Sequence, residues 1–299
     1  LCGYWLQSAR NSDPKKVKLL LFVEFISAIK SSLRNPWLNI SLLVALLFLY
    51  TPIIVLIIFS FNDSRRNIVW KGFTLKYYKK MFSNEILLEA FLNSIVIALI
   101  TTILSLVLGV LTAILLWRFQ FPLKSLYQGM VMIPVIVPEI CIGIAFLVFF
   151  NWIGWPSDLI WPLSLAKIIF AHSLFCFPFV AIVIRAKLVS LNRECEEAAK
   201  DLGANAWHVY RDVWFPHLKP SLIAGGLLAF TLSLDDFVIT FFTSGPETIT
   251  LPIKIYSMVR FSVTPEVNAA STVLIVVTIL SVCTAIFLQK ENLKKGSFE

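Results

Sequence analysis

Six long apolar runs follow one another along the chain, separated by shorter polar or Pro/Gly-rich segments. A helix needs about 20 mostly apolar residues to cross the hydrocarbon core of a bilayer, and the runs have that length. They are continuous, whereas the strands of a membrane barrel alternate apolar and polar residues. The pattern therefore predicts an all-α polytopic membrane protein with a six-helix transmembrane domain over residues 38–288. The predicted spans are 38–61, 91–117, 130–150, 164–184, 221–243 and 267–288.

Composition agrees with this pattern and excludes several classes of protein. Of 299 residues, 58% are hydrophobic and 15% charged, whereas soluble domains carry about a quarter charged residues. The net charge of +8 does not indicate nucleic-acid binding, because the basic residues lie between the apolar runs and not on one face or tail. The five Cys and three His have no metal-ligand spacing, and no nucleophile motif is present. We expect no metal site and no enzyme active site in this chain.

The distribution of Lys and Arg predicts the orientation of the spans. If the N-terminus is inside, the inside segments hold about twice as many basic residues as the outside ones, which favours two cytoplasmic termini. The basic loop 62–90 is the exception on the outside. Residues 1–37 are predicted to form an interfacial amphipathic segment on the cytoplasmic surface, since large apolar residues recur on one helical face between flanking basic residues. Residues 289–299 are predicted to be a cytoplasmic tail.

The segment 188–219 is a polar interruption between the fourth and fifth spans. Asn192 is a candidate N-cap for a helix beginning at Arg193, and Gly203 is a candidate left-handed C-cap. A second short helix is predicted from about Ala206 to Pro216. One interpretation is a plain cytoplasmic loop. The aromatic cluster of Tyr210, Trp214 and Phe215, beside small Ala residues, favours the alternative that it is a knob that contacts a partner protein.

Carboxylates inside the apolar runs are the second unusual feature. A carboxylate at the bilayer centre costs about 3 kcal/mol, so such residues normally face a cavity or a partner. On the fifth span, steps of four, three, four and three residues form one narrow polar stripe through Ala229, Ser233, Asp236, Thr240 and Thr243. We interpret the stripe as the lining of a translocation path for a cationic solute, or alternatively as hydrogen-bonded structural groups.

For two other carboxylates, a role in the translocation path and a structural role are both open. Asp235 is predicted to turn about 100° away from the stripe, where it pairs with a neighbouring helix. Glu139 follows Pro134 and Pro138, which are expected to break the third helix. His172 is interpreted as a packed, hydrogen-bonded residue.

The polar segment resembles the EAA signature of ABC-importer permeases. The matching pattern is Glu197-Ala198-Ala199, then Gly203 after three residues, then Val213 and Phe215-Pro216. The resemblance implies a type I ABC-importer permease fold, MetI-like, in which this segment docks into a separate ATPase. ATP and Mg are then bound by that partner, since this chain has no GxxxxGK[ST] phosphate loop and no cofactor of its own. The coupling residues that it implies are Glu197, Ala198, Ala199, Gly203, Tyr210, Val213, Phe215 and Pro216.

The stretch beginning "LLAFTLSLDDFVITFFTSGPETITLP", with "FLYTPIIVLIIFSFN" and "NSIVIALITTILSLVLGVLTA", is similar to spermidine/putrescine importer permeases of the PotC type. This resemblance implies polyamine import across a bacterial inner membrane. It also implies a second permease of the PotB type, a homodimeric ATPase of the PotA type and a periplasmic binding protein of the PotD type. The stripe and the carboxylates give the predicted substrate-path residues Asp236, Asp235, Ser233, Thr240 and Glu139, and Tyr256 is added as a candidate contact for the binding protein or an external gate.

Three alternatives remain open. The same machine would fit another solute, such as an opine, an amino acid derivative or iron. A stand-alone secondary transporter or channel would also have several spans and a buried Asp, but it has no need of the knob. A membrane-embedded enzyme is disfavoured because catalytic motifs are missing from the sequence.

Overall fold

The computed structural model describes residues 36–64, 69–156, 159–191, 193–261 and 265–295. The predicted interfacial helix before residue 36, the end of the predicted tail and the predicted cap Asn192 lie outside these residues. The chain divides into two units, residues 1–58 and 59–299, which are described separately.

The described residues form helices joined by short connections, with one isolated β-bridge between Asn62 and Phe73. The helices are α1 (Pro36–Phe59), α2 (Lys76–Phe82), α3 (Glu85–Arg118), α4 (Lys124–Ile136), α5 (Glu139–Trp152), α6 (Ala166–Val189), α7 (Arg193–Asp201), α8 (Ala206–His208), α9 (Phe215–Leu234), α10 (Val238–Thr243), α11 (Leu251–Phe261) and α12 (Pro265–Lys295). A 3₁₀ turn, Leu163–Leu165, precedes α6, and a π-helical turn, Val209–Trp214, joins α8 to α9.

Five helical segments among the described residues are long and apolar enough to cross a membrane: Asn39–Phe59, Glu85–Arg118, Leu163–Val189, Ala206–Leu234 and Pro265–Phe287. The bent pair α4 and α5 provides a sixth if the two are counted as one span. The predicted all-α, six-span architecture is therefore confirmed.

The core of the second unit lies where α3, α6 and α9 pack together. Small residues allow these helices to approach closely, as is usual between membrane helices. A Cβ on Gly109 of α3 would lie 2.7 Å from Cγ1 of Val180 on α6, and a Cβ on Gly225 of α9 would lie 3.2 Å from the same atom. Val180 thus occupies space that glycines on two other helices leave open.

The third span is broken at Pro138, as expected, whereas Pro134 lies inside α4 and does not interrupt it. The chain bends by 109° between α4 and α5, at Val137 and Pro138. Proline has no N–H for the helical ladder and disfavours helical backbone in the residue before it, and Val137 is extended, with φ −76° and ψ 136°.

The fifth span differs from its prediction at both ends. Pro216 does not stop the preceding helix, because the π-helical turn just before it carries the chain directly into α9. The prediction of one continuous helix over 221–243 is also wrong: α9 ends at Leu234, and α10 begins at Val238. The Asp236 carboxylate accepts the Thr240 backbone N–H at 2.8 Å, so it caps the start of α10.

Two helices lie in segments that we predicted only as loops. Helix α2 lies between the first and second predicted spans, and α11 lies between the fifth and sixth. An ion pair between Lys80 and Glu266 joins α2 to the first turn of α12. Helix α12 itself runs to Lys295, beyond the predicted end of the sixth span at 288.

Candidate substrate path and coupling surface

A buried hydrogen-bond network surrounds the break in the fifth span. His172 of α6 is 2% exposed, and its Nδ1 lies 2.8 Å from Ser233 Oγ. Its Nε2 lies 2.9 Å from Thr240 Oγ1 and 3.2 Å from Asp236 Oδ2. If Nε2 carries the hydrogen, it donates to Thr240 and Asp236 while Nδ1 accepts from Ser233, and every polar atom of the ring is satisfied. The predicted stripe therefore faces the interior, where His172 joins both halves of the fifth span to α6.

The structure separates the two adjacent aspartates. Asp236 is buried inside this network, whereas Asp235 is exposed. The prediction for Asp235 assumed an unbroken helix and is wrong in that respect, because the chain leaves the helical path at this residue. Glu139, in the first turn of α5, is also exposed. Helix α5, which begins at Glu139, packs against α10, which begins just after the two aspartates.

A cluster of aromatic rings begins two residues after the exposed Asp235. The ring of Phe237, two residues after Asp235, lies 4.8 Å from that of Tyr256 on α11 and 5.7 Å from that of Phe241. Tyr256 is 49% exposed and Phe241 is 53% exposed. Carboxylates and aromatic faces both attract an ammonium group, so Asp235 and this ring cluster are candidate contacts for a cation.

The predicted coupling segment has the expected left-handed turn. Gly203 has φ +83°, a conformation that glycine adopts at little cost, and it lies two residues after the end of α7. Asn205 then accepts the backbone N–H of His208 at 3.0 Å and caps α8.

The exposed aromatic patch on this segment does not contain the same residues as the predicted cluster. Trp207, Tyr210 and Phe215 are exposed, and their neighbouring rings lie 5.7 and 6.5 Å apart. Leu202 is 89% exposed. Trp214, which we expected in the patch, is instead half-buried against Trp117 at the end of α3.

The other predicted coupling residues are at least partly accessible. Glu197, Ala198 and Pro216 are exposed, and Ala199 and Val213 are half-buried. Glu197 forms no ion pair within the part of the chain that the structure describes.

Glu196 is a functional candidate that the sequence analysis missed. It is 4% exposed, and its carboxylate binds Arg118 Nη1 at 2.8 Å and Lys200 Nζ at 2.7 Å. Burial alone would raise the pKa of Glu196, but hydrogen bonds from Lys200 and Arg118 outweigh burial and lower that pKa below its usual range. The i,i+4 spacing of Glu196 and Lys200 was visible in the sequence, but the contact with Arg118 crosses 78 residues.

A cleft of about 1190 Å³ lies near the other end of α3. Its lining includes the carboxylates of Glu89 and Glu247, together with Trp161 and the end of the "TSGPET" segment. Asn93 connects two parts of the cleft wall. Its side-chain N–H donates to the Ile249 carbonyl at 3.2 Å, and its side-chain oxygen accepts from Trp161 Nε1 at 3.1 Å.

Comparison with known proteins gives close relatives across most of the chain. The spermidine/putrescine transport system permease protein PotC of Escherichia coli (strain K12) is 38% identical over 247 residues, covering 83% of this chain and 91% of that protein. The PotC protein of Haemophilus influenzae is 36% identical over 254 residues, 85% of this chain and 96% of its own length. The putrescine transport system permease protein PotI of Escherichia coli (strain K12) is 38% identical, covering 81% and 86%.

Solved structures agree on the fold. A bacterial ABC transporter involved in the import of the acidic polysaccharide alginate gives a TM-score of 0.67 at 17% identity, covering 90% of this chain and 99% of that one. The MetNI methionine ABC transporter gives 0.56 at 16% identity, covering 70% and 99%. The family described as binding-protein-dependent transport system inner membrane component matches residues 105–296. With that match and these relatives, the chain belongs to the family of binding-protein-dependent transport system inner membrane components.

Proposed function

We propose that this chain is the transmembrane subunit of an ATP-driven importer that moves polyamines, spermidine or putrescine or both, into the cytoplasm. The similarity to PotC and PotI proteins over more than four fifths of the chain supports the solute class. The chain is a transport component and not an enzyme, and the chemical energy comes from a separate ATPase.

The exposed Asp235 at the break of the fifth span is the observation that carries the cation assignment. Polyamines are linear chains with ammonium groups, and each group needs a negative or aromatic partner when it leaves water. Asp235 and Glu139 supply accessible carboxylates, and Tyr256 supplies an exposed ring whose centre lies 4.8 Å from that of Phe237. We assign the direct contact with substrate to these groups. Asp236, Ser233 and Thr240 then support the path without contacting the substrate, because their hydrogen bonds with His172 fix the conformation of the break.

The outer surface of α7 and the aromatic patch form the proposed ATPase contact. Glu197 supports this assignment, since it is an exposed carboxylate next to buried Glu196 and has no partner among the described residues. The small side chains of Ala198 and Ala199 leave room for a partner's groove, and Gly203 permits the turn between the two helical parts.

The proposed assembly contains this chain, a second and different permease, two copies of a cytoplasmic ATPase that binds ATP and Mg, and a periplasmic polyamine-binding protein. It lies in the bacterial inner membrane, with both termini of this chain in the cytoplasm. A related arrangement is known for the alginate transporter, which was crystallised with a periplasmic protein bound to an alginate pentasaccharide.

Uptake of labelled spermidine and putrescine by cells with the complete transporter tests this proposal. We expect saturable uptake that Asp235→Asn reduces at least about tenfold, since a close charge pair in a poorly solvated site contributes about 2 kcal/mol or more. Asp235→Glu should retain most of the uptake. Asp63→Asn is the matched control, because Asp63 is an exposed carboxylate on the loop before α2.

The outcomes separate the solute from the site. If wild-type cells take up neither polyamine but import another cationic solute, the polyamine assignment is wrong and the path assignment survives. Normal polyamine uptake in the Asp235→Asn variant would remove Asp235 from the path.

A further inference from the structure

The side of α7 that faces away from the proposed ATPase contact is anchored by one side chain. Neighbouring residues on a helix point about 100° apart, so Glu196 and Glu197 face different surroundings. Glu196 is buried, whereas the other described side chains of α7 are exposed or half-buried. Little apolar packing is therefore available to transmit a displacement of α7 to the rest of the protein.

The anchor is an ion pair between two elements. Arg118 is the last residue of α3, and its Nη1 lies 2.8 Å from Glu196 Oε2. The Glu196 side chain is 5% exposed and that of Arg118 is 35% exposed, so water screens this pair less than a surface pair. Lys200 also contacts Glu196, but it lies on α7 itself and cannot connect α7 to another helix.

The same arginine contacts the second part of the coupling segment. The Arg118 guanidinium lies over the Trp214 ring at 5.7 Å from its centre, and Trp117 packs edge-on against that ring at 5.5 Å. The end of α3 thus contacts both parts of the segment, which the turn at Gly203 separates.

Helix α3 extends from this anchor to the opposite end of the unit. Asn93 lies 25 residues before Arg118 on the same helix, which corresponds to about 38 Å, and it forms part of the outer cleft wall. A displacement of Arg118 therefore acts on a helix that also shapes the far cleft.

We infer that the Glu196–Arg118 ion pair is the link through which α7 moves α3 during transport, so that Arg118 and Glu196 are positioning residues for coupling. This inference rests on the proposed function as an ATP-driven importer. It assigns ATPase docking to Glu197 and transmission to Glu196. If the pair is the link, its loss leaves the ATPase bound and active but disconnects ATP hydrolysis from transport.

The test uses the complete transporter in proteoliposomes with its binding protein and labelled spermidine. Uptake and ATP hydrolysis are measured in the same vesicles, and ATPase retention is measured by co-purification. We expect Arg118→Gln and Glu196→Gln each to keep the ATPase bound and to lower the ratio of spermidine moved to ATP hydrolysed about tenfold, within the usual range for coupling between sites.

Two further variants distinguish a link from a merely structural contact. The reversed pair, Arg118→Glu with Glu196→Arg, should recover most of the transport ratio that either single reversal loses. Lys200→Gln is the matched control, since it removes the other cation on Glu196 without touching α3, and its ratio should stay near that of wild type.

Several results would overturn the inference: an unchanged ratio in Arg118→Gln, loss of the ATPase from both single variants, an equal loss in Lys200→Gln, or no recovery in the reversed pair. Failure of the polyamine assignment is recognised separately, because wild type itself would then move no spermidine. In that case stimulation of ATP hydrolysis by the binding protein is the readout, with loss expected in Arg118→Gln and retention in Lys200→Gln.

Discussion

His172 shows how one side chain can hold a broken membrane helix in place. Ser233 lies in the last turn of one half of the fifth span and Thr240 lies in the other half. The imidazole contacts both residues and also Asp236. An isolated carboxylate in this interior would be costly, but Asp236 also accepts the backbone N–H and the hydroxyl of Thr240. The polar groups are thus satisfied together, and the neighbouring Asp235 is left free at the surface of the break.

Replacing His172 by Leu tests this role. The change removes the imidazole contact from the buried Asp236 and should destabilise the protein by about 2 kcal/mol, as expected for a buried polar group that loses a partner. Thermal unfolding of the purified transporter, followed by tryptophan fluorescence, would show a lower Tm. Adding Asp236→Leu should restore much of the lost stability, because the unpartnered carboxylate is then gone.

Ser233→Ala is the control for that experiment, since it deletes one neutral hydrogen bond and should lower the Tm less than His172→Leu does. A Tm equal to wild type in His172→Leu would show that the network does not stabilise the break.

At the scale of helices, length and hydropathy predicted the spans because those properties reside in consecutive residues. The breaks are a different matter. Pro138 marked the break in the third span, but no proline or glycine marks the one at Asp235 to Phe237. That break depends on Asp236 capping α10 and on His172, 64 residues earlier, so it follows from tertiary contacts.

The same distinction holds for the coupling segment. The turn at Gly203 and the cap at Asn205 are local and follow from residue type. The burial of Glu196 depends on Arg118, far away in the sequence, and a helix-face argument cannot supply that partner.

The two broken spans pack against each other, and this contact can be tested through a glycine. A Cβ on Gly143 of α5 would lie 2.6 Å from Cδ2 of Phe242 on α10. Gly143→Ala should therefore lower the free energy of unfolding by about 1–3 kcal/mol through overpacking, which a thermal unfolding experiment would detect. Phe242→Leu in the same chain should relieve the clash and recover part of the loss.

Gly129→Ala is the matched control, because Gly129 is also helical but has open space around its Cα. Alanine there should be neutral or stabilising by about 0.5–1 kcal/mol. If both alanines had the same effect, close packing of α5 on α10 would not be the cause.

At the scale of the whole second unit, the proposed coupling segment and the outer cleft lie at opposite ends of α3. The segment carries the exposed aromatic patch, and the cleft carries the carboxylates of Glu89 and Glu247. Transport requires these ends to face different compartments. The excess of basic residues assigns the segment to the cytoplasm, and one labelling experiment can test that assignment.

Cys195 on α7 is exposed and serves as the cytoplasmic reporter, in a variant whose other four cysteines are replaced by Ala. A second reporter, in a chain with all five cysteines replaced, is Glu247→Cys at the cleft. In right-side-out vesicles, a maleimide that cannot cross membranes should label the Glu247→Cys chain and leave Cys195 unlabelled, and inverted vesicles should give the reverse. Detergent-treated vesicles, in which both must react, control for reactivity.

Labelling of Cys195 from the outside would place the proposed ATPase contact in the wrong compartment, and the coupling assignment would then be wrong. If Cys195 reacts only from the cytoplasmic side, added ATPase should protect it, because the docked partner would cover α7.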